Sequence, residues 1–267
     1  AFSAVTKKNA GVVGLVAAYI FSIAAAKCGT DINVECGSTH LEPLRELVLR
    51  THADIGLAHD GDADRVLFVD SEGNEIDGDY ILAICGSDLA ARGKLANSEI
   101  VSTVMCNLGF SIAMKEQGFE MVQTAVGDRY VLERMLADGA VIGGEQSGHV
   151  INREFATTGD GTLTALTLCN EVVKSGKSLK ELAADFPQLP QTLINVPNVD
   201  KKAASTNKRI QDAVAREEEL LGDTGRVLLR PSGTEPLVRV MAEAATQAYA
   251  DEVCTRLAKI VAEELAL

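Results

Sequence analysis

Residues 58–65 read Ala-His-Asp-Gly-Asp-Ala-Asp-Arg, and they are the part of this 267-residue chain best suited to chemistry. Asp60, Asp62 and Asp64 alternate with small residues, and apolar, strand-like runs at 53–58 and 66–70 flank them. A loop of this kind can aim three carboxylate oxygens at one point. That is the donor set a hard divalent cation such as Mg²⁺ takes. Arg65 adds a fixed positive charge beside the cluster, where a phosphate group could use it.

Other chemistries compete for the same residues. An EF-hand loop also opens Asp-x-Asp-x-Asp, but it needs Gly at its sixth position and Glu at its twelfth. Arg65 and Ser71 stand there instead. A phosphatase with an aspartyl nucleophile after a strand usually has Thr or Val four residues on, where this chain has Asp64. A solvated acidic turn stays open on these residues alone.

Two further loops carry polar groups between strand-like runs. Residues 141–149, Val-Ile-Gly-Gly-Glu-Gln-Ser-Gly-His, pass from an apolar strand into a polar turn. Glu145, Ser147 and His149 offer an acceptor, a hydroxyl and an imidazole, a set suited to sugar hydroxyls. Residues 230–236, Arg-Pro-Ser-Gly-Thr-Glu-Pro, lie between an expected strand at 227–229 and another at 237–241. Arg230, Ser232, Gly233, Thr234 and Arg239 combine guanidinium forks, hydroxyls and backbone donors into a phosphate cradle. Each loop alone reads equally well as a structural turn.

The order of these loops is more specific than any one of them. Asp-Gly-Asp-Ala-Asp-Arg, then Gly-Glu-Gln-Ser-Gly-His, then Arg-Pro-Ser-Gly-Thr-Glu-Pro resembles the metal, sugar and phosphate loops of the α-D-phosphohexomutase family. Gln146, Gly233, the run Val-Gly-Asp-Arg-Tyr-Val at 126–131 and the run Asn-Val-Glu-Cys-Gly-Ser-Thr-His at 33–40 resemble its bacterial amino-sugar branch. The resemblance covers residues from about Asp31 to the C-terminus.

The resemblance implies interconversion of glucosamine 6-phosphate and glucosamine 1-phosphate through a bisphosphate, with an enzyme phosphoserine as donor. It implies Mg²⁺ on Asp60, Asp62 and Asp64, and phosphoryl stabilisation by Arg65. It implies sugar contacts from Glu145, Gln146, Ser147, Asp128 and Arg129, and a non-reacting phosphate on Arg230, Ser232, Gly233, Thr234 and Arg239. His149 is the candidate proton carrier, since imidazole titrates near neutrality; a purely orienting histidine is the alternative. Asp128 and Arg129 also read as a helix cap and a surface ion pair, and Glu235 as a brace of its loop. Ala125 stands where many members carry Lys. Glucosamine 1,6-bisphosphate or a similar hexose bisphosphate is the implied activator. The family's Ser/Thr-Ala-Ser-His-Asn-Pro serine loop does not occur in this sequence. The expectation is therefore a C-terminal portion that is inactive alone, and a homodimer for the full-length enzyme. A mutase for glucose or mannose phosphates, and a non-catalytic module binding Mg²⁺ and phosphosugar, are the alternatives.

The elements that must hold these loops follow from periodicity. Alternating strands and helices predict layered mixed α/β domains: a partial second domain over 1–76 and a complete third over 77–188. Pro187 and Pro190 mark a boundary, and 189–267 reads as a small α+β domain. Its first helix is expected over 203–221, with charges that face solvent. Residues 10–26 are uncharged behind Lys7 and Lys8, like a signal peptide or short membrane segment. A helical stripe of Val12, Leu15, Val16, Tyr19, Ile20 and Ile23 favours a helix buried in an α/β layer. A net charge of −13 argues against nucleic acid and anionic membranes. Six cysteines without Cys-x-x-Cys spacing read as reduced thiols of a cytoplasmic protein.

Overall fold

The computed structural model describes residues 2–8, 15–21, 33–232 and 235–267. They divide into two units. One runs through the described residues up to Cys106 and includes Phe110–Pro187; the other is Asn107–Gly109 with Gln188–Leu267.

The first unit contains two sheets. Strands β1 (Phe2–Lys8), β2 (Leu15–Phe21), β3 (Ile55–His59), β4 (Val66–Asp70) and β5 (Glu75–Ile76) make an antiparallel sheet ordered β2-β1-β3-β4-β5. Every residue of β3 and β4 is buried, because both faces are covered. Ala58, Leu67 and Val69 pack with Leu44 and Val48 of helix α1 (Glu42–Thr51). Ile55, Leu57, Val66 and Phe68 enter the larger core on the other side. Two-sided burial makes these strands read as continuous apolar runs instead of alternating ones.

The helix expected over residues 10–26 is not formed: Leu15–Phe21 is β2, paired along its length with β1. The rest of that stretch lies outside the described residues. A short run that is apolar on every side satisfies a helical stripe and a buried strand equally, and its β-branched and aromatic residues suit the strand. Among the described residues no helix is long and apolar enough to cross a membrane.

The second sheet is built from β6 (Glu99–Thr103), β7 (Glu120–Thr124), β8 (Ile142–Gly144) and β9 (Val150–Asn152), ordered β7-β6-β8-β9. β6 is parallel to β7 and β8, while β9 returns antiparallel to β8. Helices α2 (Gly78–Ala91), α3 (Leu108–Glu116), α4 (Asp128–Asp138), α5 (Gly161–Ser175) and α6 (Leu179–Ala183) accompany these strands. Ile81, Leu82 and Leu89 of α2 share one core with Leu168 and Val172 of α5, while Val131 and Met135 of α4 pack with Val101 and Ile151. Local chemistry fixes the helix starts. Asp77 Oδ1 accepts the Asp79 and Tyr80 N–H groups, and Asp160 Oδ1 accepts that of Leu163. Burial pushes the Cys85 thiol up to about 12, so it is unreactive at neutral pH.

In the second unit, β10 (Gln191–Pro197), β11 (Arg226–Pro231) and β12 (Leu237–Glu243) form an antiparallel sheet ordered β10-β12-β11. Val238, Val240 and Ala242 pack with Ile210 and Ala213 of α7 (Lys208–Leu221) and with Val253, Leu257 and Val261 of α8 (Gln247–Glu264). Helix α7 starts later than the expected residue 203. The Asn207 side chain accepts the Ile210 N–H at 3.2 Å and caps the helix there, and the preceding residues form turns.

Candidate active site

Two hairpins in the first unit bring the first two loops together. In one, His59 pairs with Val66 at the mouth of the loop of Asp60–Arg65. In the other, Gly144 pairs with Val150 around residues 145–149. The hairpins are joined by the Val66 N–H, which donates to the Gly148 carbonyl at 3.2 Å, and by a bridge between Arg65 and His149. Gly148 has φ +88, and a Cβ there would lie 2.2 Å from the Val66 carbonyl oxygen. Both the turn and the close approach therefore require glycine.

Asp60, Asp62 and Asp64 each offer a carboxylate oxygen, and these oxygens all lie within 4.8 Å of one another. No other such cluster of His, Cys, Asp or Glu occurs among the described residues. Asp60 is buried, Asp62 exposed and Asp64 between the two. Burial, the adjoining Asp60 carboxyl and, less strongly, Asp62 push Asp64 up to about 6, against the opposing pull of His149. Asp64 Oδ1 is buried without a hydrogen-bond partner. Crowded carboxylates with an orphaned acceptor fit a hard divalent cation, which satisfies the lone pairs and cancels the repulsion. The Arg65 Nε lies 3.9 Å from both Asp60 and Asp64, with its side chain 41% exposed, so it borders the cluster and still reaches solvent.

The second hairpin presents its residues in different ways. The His149 ring is buried, and Nε2 lies 3.6 Å from Asp64 Oδ2. Glu145 is buried and accepts the Gly127 N–H at 3.1 Å, which ties this loop to the start of α4 beside Asp128. Gln146 Nε2 donates to Asp77 Oδ2 at 3.2 Å, and its carbonyl accepts the Gly78 N–H at 2.9 Å. Ser147 is half-buried. Arg129 points away into solvent: its side chain is 80% exposed and pairs with Glu133 at 2.7 Å, the surface ion pair open to it from the sequence. Asp128 lies in the first turn of α4, where Gly127 holds the N-cap position.

The third loop belongs to the second unit. Arg230 and Arg239 are register partners across β11 and β12. The Ser232 hydroxyl accepts the Glu235 N–H at 3.2 Å, and Glu235 Oε2 lies 3.6 Å from Arg239, which makes it the brace expected. Gly233 and Thr234 lie outside the described residues. Lys201, which sequence patterns did not single out, donates to the carbonyls of Ser232 at 2.6 Å and Glu235 at 3.0 Å. It lies about thirty residues away in sequence and carries no motif. His59 also escaped notice, although it directly precedes the aspartates; its Nδ1 lies 3.0 Å from the Arg65 carbonyl oxygen.

These loops can be set beside known proteins. Residues 77–189 match the model for phosphoglucomutase/phosphomannomutase α/β/α domain III, and residues 193–260 match that for the C-terminal domain of the same proteins. The chain belongs to the α-D-phosphohexomutase family. The phosphoglucosamine mutase of Bifidobacterium longum subsp. infantis is 74% identical over 248 residues, which are 93% of this chain and 54% of that protein. The phosphoglucosamine mutase of Renibacterium salmoninarum is 54% identical over 250 residues, 94% of this chain and 56% of that protein. This phosphohexomutase chain thus spans about half the length of the curated relatives it matches. Its fold is similar to the crystal structure of Aspergillus fumigatus N-acetylphosphoglucosamine mutase in complex with GlcNAc-6P and magnesium. The TM-score is 0.72 at 23% identity, covering 86% of this chain and 53% of the other.

Proposed function

We propose that these residues form the metal-, sugar- and phosphate-binding part of a phosphoglucosamine mutase, an enzyme that interconverts glucosamine 6-phosphate and glucosamine 1-phosphate. The observation that carries this reading is the junction of the two hairpins, which sets the three aspartates against His149 of the Gly-Glu-Gln-Ser-Gly-His loop. The 74% identity to a named phosphoglucosamine mutase supports the sugar, and the magnesium in the fungal mutase complex supports the cation.

In this reading Asp60, Asp62 and Asp64 hold Mg²⁺. A bound ion of this kind neutralises charge on a transferring phosphoryl group. Arg65 offers its guanidinium to the phosphoryl oxygens, since it borders the aspartates and stays partly solvated. Glu145 and Ser147 accept and donate hydrogen bonds to sugar hydroxyls, with Gln146 and Asp128 around them, whereas the Arg129 that the resemblance implied is paired with Glu133 in solvent. His149 orients Asp64 or carries a proton; its burial favours orientation. Arg230, Ser232, Gly233, Thr234 and Arg239 hold the non-reacting phosphate, and a hexose bisphosphate is the activator. These 267 residues contain no Ser-His-Asn loop, so the phosphoserine donor comes from outside them. The same reading divides the chain after residues 76 and 188, close to the limits of the first matching family model, and assigns the full-length enzyme to a cytoplasmic homodimer.

The test is binding of glucosamine 6-phosphate, glucose 6-phosphate and mannose 6-phosphate to the chain with Mg²⁺, followed by a turnover assay with glucosamine 1,6-bisphosphate. Preference for the amino sugar without turnover is expected. A preference for either neutral sugar would reassign the substrate, and rapid turnover would show that the donor lies within these residues.

A further inference from the structure

His59 occupies the last position of β3, immediately before the aspartates, and its ring is buried. Nδ1 lies 3.0 Å from the Arg65 carbonyl oxygen. A carbonyl oxygen only accepts, so Nδ1 must carry the proton. The other side of the Arg65 backbone is also held, because its N–H donates to Asp60 Oδ1 at 3.2 Å. Residues 59 and 60 therefore grip residue 65 by both of its backbone polar groups and close the loop into a ring.

Two observations show that this loop needs holding. Ala63 has φ +62, a left-handed conformation that a residue with a Cβ adopts only against steric resistance. The three carboxylates that the loop brings together also repel one another. Helix α5 supplies a further brace, since the Gly161 N–H donates to the Ala63 carbonyl at 3.0 Å. A Cβ on Gly161 would lie 2.5 Å from the Arg65 carbonyl oxygen and 2.7 Å from His59 Nδ1. The helix start is thus packed directly onto the His59–Arg65 hydrogen bond.

We infer that His59 is a positioning residue for the metal loop, acting as an Nδ1–H donor that keeps Asp60, Asp62 and Asp64 converged. The inference rests on the assignment of those aspartates as metal ligands. It asks nothing of the imidazole as a base. Asparagine carries an N–H donor close to the place of Nδ1 and serves in its stead. Leucine fills the volume and offers no donor. Glutamine puts its donor one bond farther out.

The experiment is calorimetric titration of Mn²⁺ alone into the whole chain at one fixed pH. The variants are H59N, H59L, H59Q and D62A, each with a thermal melt to establish folding, and the Mn²⁺ electron paramagnetic resonance spectrum is recorded for each. H59N is expected within about threefold of the unsubstituted chain, and H59L and H59Q about tenfold weaker or more, with a broadened spectrum, the scale of one lost buried hydrogen bond. D62A abolishes binding. If D62A abolishes binding while folded H59L binds like the unsubstituted chain, the positioning role is overturned and the metal ligands stand. If D62A binds as tightly as the unsubstituted chain, the metal assignment itself fails, and the His59 role with it. If H59L does not fold, the comparison of H59N with H59Q decides, and equal affinities overturn the inference.

Discussion

Arg230 and Arg239 stand directly opposite one another across β11 and β12. Like charges at opposed positions destabilise a sheet. Glu235, 3.6 Å from Arg239, offsets part of the repulsion, and an anion between the two guanidinium groups would offset more. Inorganic phosphate should therefore raise the melting temperature of the chain, and this gain should shrink in Arg230→Lys. Lysine keeps the charge but loses the bidentate fork, so glucosamine 6-phosphate should bind roughly 10-fold more weakly or worse. Isothermal calorimetry at fixed ionic strength measures it, and equal affinities in two folded proteins would place the cradle elsewhere.

Lys201 draws the Ser232 and Glu235 carbonyls toward its ammonium group. Lys201→Met should leave the fold intact and weaken phosphosugar binding by about 10-fold, the scale of one lost charge-assisted hydrogen bond. Circular dichroism checks the fold and calorimetry the affinity. A purely electrostatic contribution would vanish at high salt, so a loss that persists there marks the role of the lysine in shaping the loop.

The buried ring of His149 meets Asp64 and is far less open to a substrate than Ser147. His149→Phe should weaken Mn²⁺ binding by about 10–100-fold, the usual cost of removing a group that orients a metal ligand. Unchanged affinity, with turnover lost in the full-length enzyme, would instead make His149 a proton carrier.

Glu154 ties the first unit together at its surface. Hydrogen bonds from Lys94 and from Arg92, at 2.5 Å and 2.9 Å, hold its carboxyl below the usual range against partial burial. A depressed folded-state pKa contributes stability that is complete above the unfolded value and disappears as pH falls through the folded one. The urea midpoint should thus drop as pH falls below about 4.5, and Glu154→Gln should flatten that slope. At pH 7 the variant should lose about 1 kcal/mol, since Lys94 is half exposed. Identical pH profiles for the two proteins would rule out this contribution.

Loops whose chemistry lies in consecutive residues were legible from the chain alone. The alternating aspartates, the Gly-Gly-Glu-Gln-Ser-Gly-His run and the Arg-Pro-Ser-Gly-Thr-Glu-Pro run all stand out by composition, and β3 and β4 were readable as apolar runs on either side of the first. What links one loop to another was not. The bond from the Val66 N–H to Gly148 depends on which hairpins become neighbours, and no local period encodes that. Lys201 acts on carbonyls far along the chain. At the N-terminus an evenly apolar run read as a helical stripe, and only its pairing with β1 shows it to be a strand. The three residues of β9 were too short to announce a strand.

On the proposed function, the stitching of the two hairpins bears on any attempt to change sugar preference. Residues 145–149 look like a cassette that could be exchanged for the same stretch of a relative. Yet the Gly148 carbonyl is a backbone partner of Val66, and His149 touches Asp64. A foreign cassette would arrive with a different purchase on the aspartates and would alter cation binding along with sugar choice. Transplantation should succeed only when residues 59–66 and 144–150 travel as a matched pair, which makes the pair, and not either loop, the portable unit.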